Sequence, residues 1–361
     1  IDALLRGGDN VVGAYTSPHV RHYNERITID AEPASDDEII LAFEKVDAAR
    51  RDIPLTYFEF GTLAALVVFA DRGVNRAILE VGMGGRLDAV NAIDPDAGLI
   101  TNISLDHCDW LGGDVESIGS EKAGIMRASR PTVFASRDVP RSILETAEAT
   151  AADLVLAGRD YDWSRTGDDW RWAGRRIALE GLRPPALRGE FQFANAAGVL
   201  ALLEAAGFDD RLAREHVNQA LASLRVAGRM QCVQRERQWL LDVAHNPASA
   251  EALASALAAD DSVQHTVAIV GMRDDKDVEG LVAALAGCVD RWIAVPLDDP
   301  RSLDVRELAR RVANASGKGC LEAAGLEAAL AAARAATRPG DRVLVTGSFY
   351  LVGPALEALG L

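Results

Sequence analysis

The chain predicts an α/β protein built from two doubly wound, Rossmann-like domains, and three observations carry that prediction. Apolar runs of strand length alternate with longer helical patterns, which implies parallel sheets covered by helices on both faces. That rhythm stops between Gly158 and Pro185 and starts again after Arg229. The length, 361 residues, matches two domains at roughly 150 residues each.

The elements follow in order. "IDALLRGG" at the start reads as the last turns of a helix that ends at Gly7 and Gly8. Strands are expected at Val11 to Tyr15, Ala77 to Gly82, Ala97 to Ile103 and Pro131 to Ala135, with no hairpin signal among them. Tyr57 to Ala70 is apolar nearly all round, the pattern of a buried helix. Between Gly158 and Pro185, Trp163, Trp170 and Trp172 alternate with Arg and Asp, and "WAGRR" reads as a turn in a small antiparallel side sheet. Helical patterns resume at Phe191 to Ala206 and Arg211 to Leu224. Strands then recur at Trp239 to Asn246, His265 to Gly271, Arg291 to Leu297 and Asp341 to Ser348. A boundary near Arg225 to Arg235 follows, giving a first domain over 1–226 and a second over 227–361. No solenoid-length repeat interrupts either one.

Charge narrows the function. Lys and Arg total 38 against 54 Asp and Glu, a net charge of −16. Such a surface repels phosphate backbones and anionic lipid, so neither nucleic acid nor membrane is an expected partner. An anionic substrate must then be gathered by local cations, metal ions or helix N-termini. The four cysteines are widely spaced with no CxxC pair, and no apolar run approaches the ~20 residues that span a bilayer. A cytoplasmic location is expected.

Chemistry-bearing residues gather at the ends of the expected strands. Glu80 lies in "AILEVGMGGRLDAVN", a carboxylate in an otherwise apolar strand, where an unpaired charge is costly. A structural ion pair with Arg76 or Arg86 and a functional site are both open readings. Gly82, Gly84 and Gly85 mark a tight turn at the ligand-binding edge of an α/β sheet. The next strand delivers Asp106 and His107, and "YTSPH" adds Ser17 and His19 from a third, so three strand ends converge on a metal or phosphate site. Lys122 lies on a short helix begun by Asp114, and its spacing alone implies only a surface lysine. In the second domain Asp242 and His245 follow the first strand, and Ser348 follows the last, at a helix N-terminus suited to a carboxylate or to a plain cap.

Taken together in order, "YTSPHVRHYNERI", "LTYFEFGTLAAL", "LEVGMGGRLDAVN", "SLDHCDWLG", "IGSEKAGIMR", "FANAAGVLALL", "AGRMQ", "DVAHNP", "GMRDDKD" and "GSFYLV" resemble the bifunctional dihydrofolate synthases and folylpolyglutamate synthases. These are amide ligases of the Mur superfamily. The resemblance runs from Gly13 to the C-terminus.

It implies a ligase that phosphorylates the carboxylate of dihydropteroate, or of a folate glutamate tail, with ATP. The amine of L-glutamate then attacks the acyl phosphate, releasing phosphate beside ADP. Positioning and charge neutralisation dominate such chemistry, so one or two Mg2+ ions are implied. By resemblance, Ser17, Glu80 and His107 hold the metal, and Lys122 is a carbamylated lysine. Asn195, Arg229 and Asp242 match positions that grip ATP across the interdomain cleft. Thr56, Tyr57, Phe58, Glu59, Leu87, Asp88 and Ala89 match a pterin pocket, where Phe58 stacks on the ring or else is simply core, and Asp88 accepts N–H groups. Asp242, His245 and Ser348 are similar to the region that receives glutamate, with the general base unassigned. A monomer acting on small molecules is implied.

One departure stands out: no GxxxxGK[ST] string occurs in the 361 residues. "NASGKGC" at Asn314 to Cys320 lacks the first glycine and the hydroxyl, and reads as a surface turn. The expectation is a chain whose first strand and phosphate loop lie upstream of Ile1, inactive toward ATP by itself. Two other readings remain, an amide ligase of the same superfamily with another acid substrate, and a non-catalytic folate or nucleotide binder. "LTYFEFG" and "RLDAVN" favour a pterin.

Overall fold

The computed structural model of the chain describes residues 1–105, 108–167, 169–260 and 262–361, with Cys108 and Asp109 as backbone only. The chain divides into two units, Ile1–Ala186 with Gln192–Leu224, and Leu187–Phe191 with Arg225–Leu361.

The first unit begins with α1 (Asp2–Leu5), β1 (Val12–Tyr15), β2 (Ile27–Ile29), β3 (Glu32–Pro33), α2 (Asp36–Arg50), α3 (Tyr57–Asp71) and β4 (Arg76–Leu79). There follow β5 (Gly98–Ile100), α4 (Cys108–Leu111), α5 (Val115–Ala123), β6 (Pro131–Phe134), α6 (Arg141–Thr150) and β7 (Asp153–Leu156). A side sheet, β8 (Asp162–Thr166), β9 (Asp169–Ala173) and β10 (Ala178–Leu182), precedes α7 (Phe191–Ala205) and α8 (Arg214–Ser223). The sheets run β3-β2-β1-β4, β5-β6-β7 and β10-β9-β8.

β1 and β4 are parallel, as are all three strands of the second sheet, in keeping with the βαβ rhythm of the sequence. The first sheet nevertheless has an antiparallel arm, because β2 turns back on β1 and β3 on β2. The absence of hairpins expected from the sequence is thus corrected. The turn between β2 and β3 uses Asp30 and Ala31 at φ 51° and 70°, the geometry of a tight hairpin without its usual Asn-Gly signature. α3 also departs from expectation: Ala64, Ala65, Val68 and Phe69 are buried, but Leu63 and Tyr57 are exposed, so the helix is covered on one side only.

The side sheet is antiparallel as expected, with Trp170 and Trp172 each 1% exposed. A buried carboxylate fixes its turn. Glu204 of α7 accepts the backbone N–H groups of Arg175, Arg176 and Ile177 at 2.9, 2.7 and 2.8 Å. A carboxylate so satisfied can be buried without a full ion pair.

The second unit contains β11 (Gln231–Gln234), β12 (Gln238–Leu241), α9 (Pro247–Ala258), β13 (Thr266–Val270), α10 (Val278–Leu285) and β14 (Arg291–Ala294). α11 (Val305–Ser316), β15 (Cys320–Glu322), α12 (Leu326–Ala336), β16 (Arg342–Thr346) and α13 (Phe349–Ala358) complete it. Its six strands run β11-β12-β16-β13-β14-β15, parallel except for the edge strand β11. β12, β13 and β16 are buried along their whole length, as continuous apolar runs in a sheet covered on both faces require.

Candidate active site

In the first unit the site starts from the parallel pair β1 and β4. Chain direction puts Ser17 and Glu80 just beyond their C-terminal ends, and the Ser17 N–H donates to Glu80 Oε2 at 2.8 Å. Glu80 is exposed, which corrects the expectation of a carboxylate inside a buried strand. The reason is topological. β4 is the edge of its sheet, and past it opens a cavity of about 1270 Å3 lined by Glu80, by β5 and by Lys122. The arginines proposed as ion-pair partners are engaged elsewhere: Arg86 Nη2 meets Glu121 Oε1 at 2.8 Å, and the Arg76 guanidinium lies over the Phe208 ring.

Lys122 sits in the last turn of α5, half-buried, on a helix capped by Asp114, whose carboxylate accepts the Ser117 N–H at 2.9 Å. It lines the same cavity as Glu80. Asp106 and His107 lie outside the described residues. Among the described residues no three His, Cys, Asp or Glu side chains gather as a metal site. The groups brought together are the Ser17 backbone N–H and the Glu80 carboxylate, the latter a hard oxygen donor of the kind Mg2+ prefers.

Of the candidate pterin residues, Phe58 and Asp88 meet the loop at Gly82 and Met83. A Cβ on Gly82 would stand 2.6 Å from the Phe58 ring, so only glycine admits that ring here. Asp88 accepts the Met83 and Val90 N–H groups at 3.0 and 3.1 Å, capping the short turn Ala89–Ala92. Phe58 also packs 5.7 Å from Tyr15, which makes it at least partly a core residue. Thr56 and Glu59 form a reciprocal cap on α3: Thr56 N–H donates to Glu59 Oε2 at 2.7 Å, and Glu59 N–H to Thr56 Oγ1 at 3.2 Å. Tyr57, 65% exposed, lies under the Arg26 guanidinium, and Leu87 is 79% exposed. Arg26 Nε donates to His19 Nδ1 at 2.8 Å, and burial holds the imidazole below its ordinary pKa. Asn195 lies half-buried on α7, its amide donating to Gln192 Oε1 at 3.3 Å.

In the second unit Asp242 follows β12 and is 7% exposed. Its oxygens accept the N–H groups of Met230 and Ala244, each at 2.8 Å. Burial pushes its pKa up, against those two bonds and the nearby charge of Arg229. His245 Nδ1 lies 2.9 Å from the Val243 carbonyl, which can only accept, so Nδ1 carries a proton. The Phe349 ring touches both sides of this group, 5.8 Å from His245 and 5.6 Å from the Arg229 guanidinium. Ser348 is 5% exposed and caps α13 through the Tyr350 N–H at 3.2 Å. Gly347 before it, at φ +107°, presses its α-carbon against the Gly271 carbonyl, where a Cβ would stand 2.6 Å away. Asp242, His245 and Ser348 therefore share the C-terminal edge of adjacent strands β12 and β16.

Residues 51–203 match the Mur ligase middle domain, and residues 228–349 match the Mur ligase glutamate ligase domain. Over 359 residues the chain is 37% identical to the dihydrofolate synthase/folylpolyglutamate synthase of Escherichia coli K12, covering 99% of this chain and 82% of that one. The chain belongs to the dihydrofolate synthase/folylpolyglutamate synthase family. A relative of the same description from Mycobacterium tuberculosis is 34% identical, with 86% of this chain and 69% of that one covered. The solved structure of E. coli FolC in complex with DHPP and ADP superposes with a TM-score of 0.93 at 36% identity, over 99% of this chain and 84% of that one. A bifunctional folylpolyglutamate synthase/dihydrofolate synthase with Mn, AMPPNP and L-glutamate bound gives 0.92 at 39% identity, over 100% and 85%. The α/β fold and the family that the motifs resemble are both borne out.

Among the residues the sequence did not single out is Glu204. Glu204 had a legible signal, a carboxylate in the apolar run "ALLEAAG".

Proposed function

We infer that the protein is an ADP-forming ligase that joins L-glutamate to dihydropteroate, giving dihydrofolate, and to folates, extending their glutamate tails. ATP phosphorylates the acceptor carboxylate; the glutamate α-amine attacks that carbon, phosphate leaves, and an amide remains. The observation that carries this reading is that 37% identity extends over 99% of the chain, so every site residue falls within the matched length.

Ser17 and Glu80, joined by their 2.8 Å hydrogen bond, supply oxygen donors for magnesium, one or two ions, with His107 completing the set. When bound, the metal neutralises charge on the terminal phosphates. Lys122 carries a carbamate: its neutral amine adds to CO2, a proton leaves, and a cation becomes an oxygen-bearing anion beside the same cavity. Asn195, Arg229 and Asp242 hold ATP, with Arg229 facing phosphate charge. Tyr57, Phe58, Leu87, Asp88 and Ala89, with Thr56 and Glu59 fixing the start of α3, receive the pterin. Ser348 orients the incoming glutamate, and His245 Nε2 is suited to take the amine proton because Nδ1 is committed to Val243.

Residues 1–226 form the ATP-, metal- and pterin-binding domain and 227–361 the glutamate ligase domain of a cytoplasmic monomer. No described helix is long and apolar enough to cross a membrane. The test is incorporation of labelled glutamate by the full-length gene product. Dependence on dihydropteroate and Mg2+ is expected, whereas incorporation only with muramyl acceptors, or pterin binding without turnover, would overturn the reading.

A further inference from the structure

Every donor of Arg127 is used. Nε donates to Asp94 Oδ1, Nη1 to the carbonyls of Gly124 and Met126, each at 3.2 Å, and Nη2 to Asn91 O and Oδ1 at 2.9 and 3.0 Å. A guanidinium carries five N–H donors, so this set exhausts it. Asn91 is committed in the same way: its Nδ2 donates to the carbonyls of Arg86 and Gly124 at 3.1 and 3.0 Å, while its Oδ1 accepts from Arg127.

What this clasp joins is the segment 85–94 and the chain leaving α5. The same two pieces meet again one turn earlier, where the Arg86 N–H donates to the Glu121 carbonyl at 2.8 Å and its guanidinium to the Glu121 carboxylate at 3.0 and 2.8 Å. A Cβ on Gly85 would stand 2.8 Å from the Glu121 carbonyl oxygen, and one on Gly124 would stand 2.5 Å from the Arg86 α-carbon, so the two backbones touch directly. The first piece carries Leu87, Asp88 and Ala89 and continues from Glu80; the second carries Lys122, which lines the cavity beside Glu80. The placement of Lys122 relative to Glu80 is therefore set across this joint, by contacts between residues 33 and 36 positions apart in sequence. Apolar packing would hold such a joint together, but a fully satisfied polar network holds it in a single arrangement.

We propose that Arg127, acting with Asn91, is a positioning residue that locks the loop bearing Asp88 to the end of α5, so that binding of the pterin acceptor and the placement of Lys122 beside Glu80 are set together. This rests on the ligase reading, in which Asp88 receives the pterin and Lys122 serves the metal. Neither Arg127 nor Asn91 acts on substrate; each works through the backbone it holds. Loosening the joint lets the loop and the helix end shift against one another, which weakens acceptor binding and misplaces Lys122 at once.

The experiment is steady-state kinetics of the full-length gene product, with dihydropteroate and glutamate varied in turn, beside thermal melts. R127M is expected to lower kcat about 10- to 100-fold and to raise KM for dihydropteroate ~10-fold, with KM for glutamate within about twofold of wild type. R127K keeps the charge but replaces the fork with a point cation, and should recover part of both losses. N91A leaves Arg127 its backbone partners and should show the same pattern more weakly. D94N, at a side chain 83% exposed, removes only a surface ion pair and should leave both constants near wild type. A folded R127M with unchanged kcat and unchanged KM for dihydropteroate overturns the proposal. So does a rise in KM for glutamate equal to that for dihydropteroate, the mark of a general loosening. If R127M does not fold, R127K and N91A are judged by the same two criteria. Wild-type protein that ligates no glutamate would instead sink the parent reading, and this one with it.

Discussion

The backbone N–H of Ser17 and the Oε2 of Glu80, 2.8 Å apart, tie the ends of two parallel strands together and aim the carboxylate at the cavity beyond β4. That N–H occupies one of about four lone-pair sites on the carboxylate and orients it.

Glu80→Gln separates the two roles. The amide oxygen can still accept from Ser17, so the change in folding stability should stay within about 1 kcal/mol. The negative charge is lost, and turnover at fixed Mg2+ should fall by at least ~100-fold, with partial recovery as Mg2+ is raised. Magnesium titrations of the two proteins beside their thermal melts check this.

Asp242 gives a pH signature of unusual sign. Burial raises its folded pKa above the ordinary 3.8, so its favourable contribution is complete below 3.8 and is lost as pH rises through the folded pKa. Asp242→Asn removes the buried charge but sacrifices one of the two bonds to Met230 and Ala244. The stability of the variant relative to wild type should therefore improve from pH 4 toward pH 7, while ligase activity is lost. Denaturant melts across that range provide the comparison.

Asp260 behaves oppositely. The Ser262 hydroxyl, the Gln238 amide and the Arg342 guanidinium hold its pKa down to about 2. Its stabilisation is full above 3.8 and disappears as pH falls from 3.8 to about 2. Arg342 is 3% exposed and donates to Asp260 Oδ2 at 2.8 Å. Asp260→Ala strands that cation and should cost ~3 kcal/mol at neutral pH. Because the variant has no such carboxylate to titrate, the gap should shrink as pH drops through the window, which acid titration of the melts would show.

What could be read in the sequence divides along physical lines. β12, β13, β14 and β16 were legible because a strand buried on both faces must be apolar throughout, and so was the side-sheet turn at "WAGRR". The β2–β3 arm was not, since Asp30 and Ala31 adopt positive φ without glycine. The exposure of Glu80 was hidden too, because whether β4 is central or at an edge depends on strand order, not on its own residues. Thr56 and Glu59 show the T-x-x-E spacing of a helix start, and the structure assigns them that work.

Lys318 tests the reading of "NASGKGC" as structure. Its Nζ donates to the Ala286 carbonyl at 2.8 Å and to the Val289 carbonyl, tying down the chain after α10. Lys318→Met should lose about 1–3 kcal/mol of stability while KM for ATP stays unchanged. A large rise in KM for ATP in a protein that still folds would mean that this turn handles phosphate after all.

The most direct test of the whole account is anomalous diffraction from crystals of the full-length protein grown with Mn2+ and a non-hydrolysable ATP analogue. The prediction is a metal peak about 2.0–2.4 Å from the Glu80 carboxylate, with the Ser17 hydroxyl in its coordination shell. A metal bound to the nucleotide elsewhere, with Glu80 turned away and Ser17 uncoordinated, would contradict it.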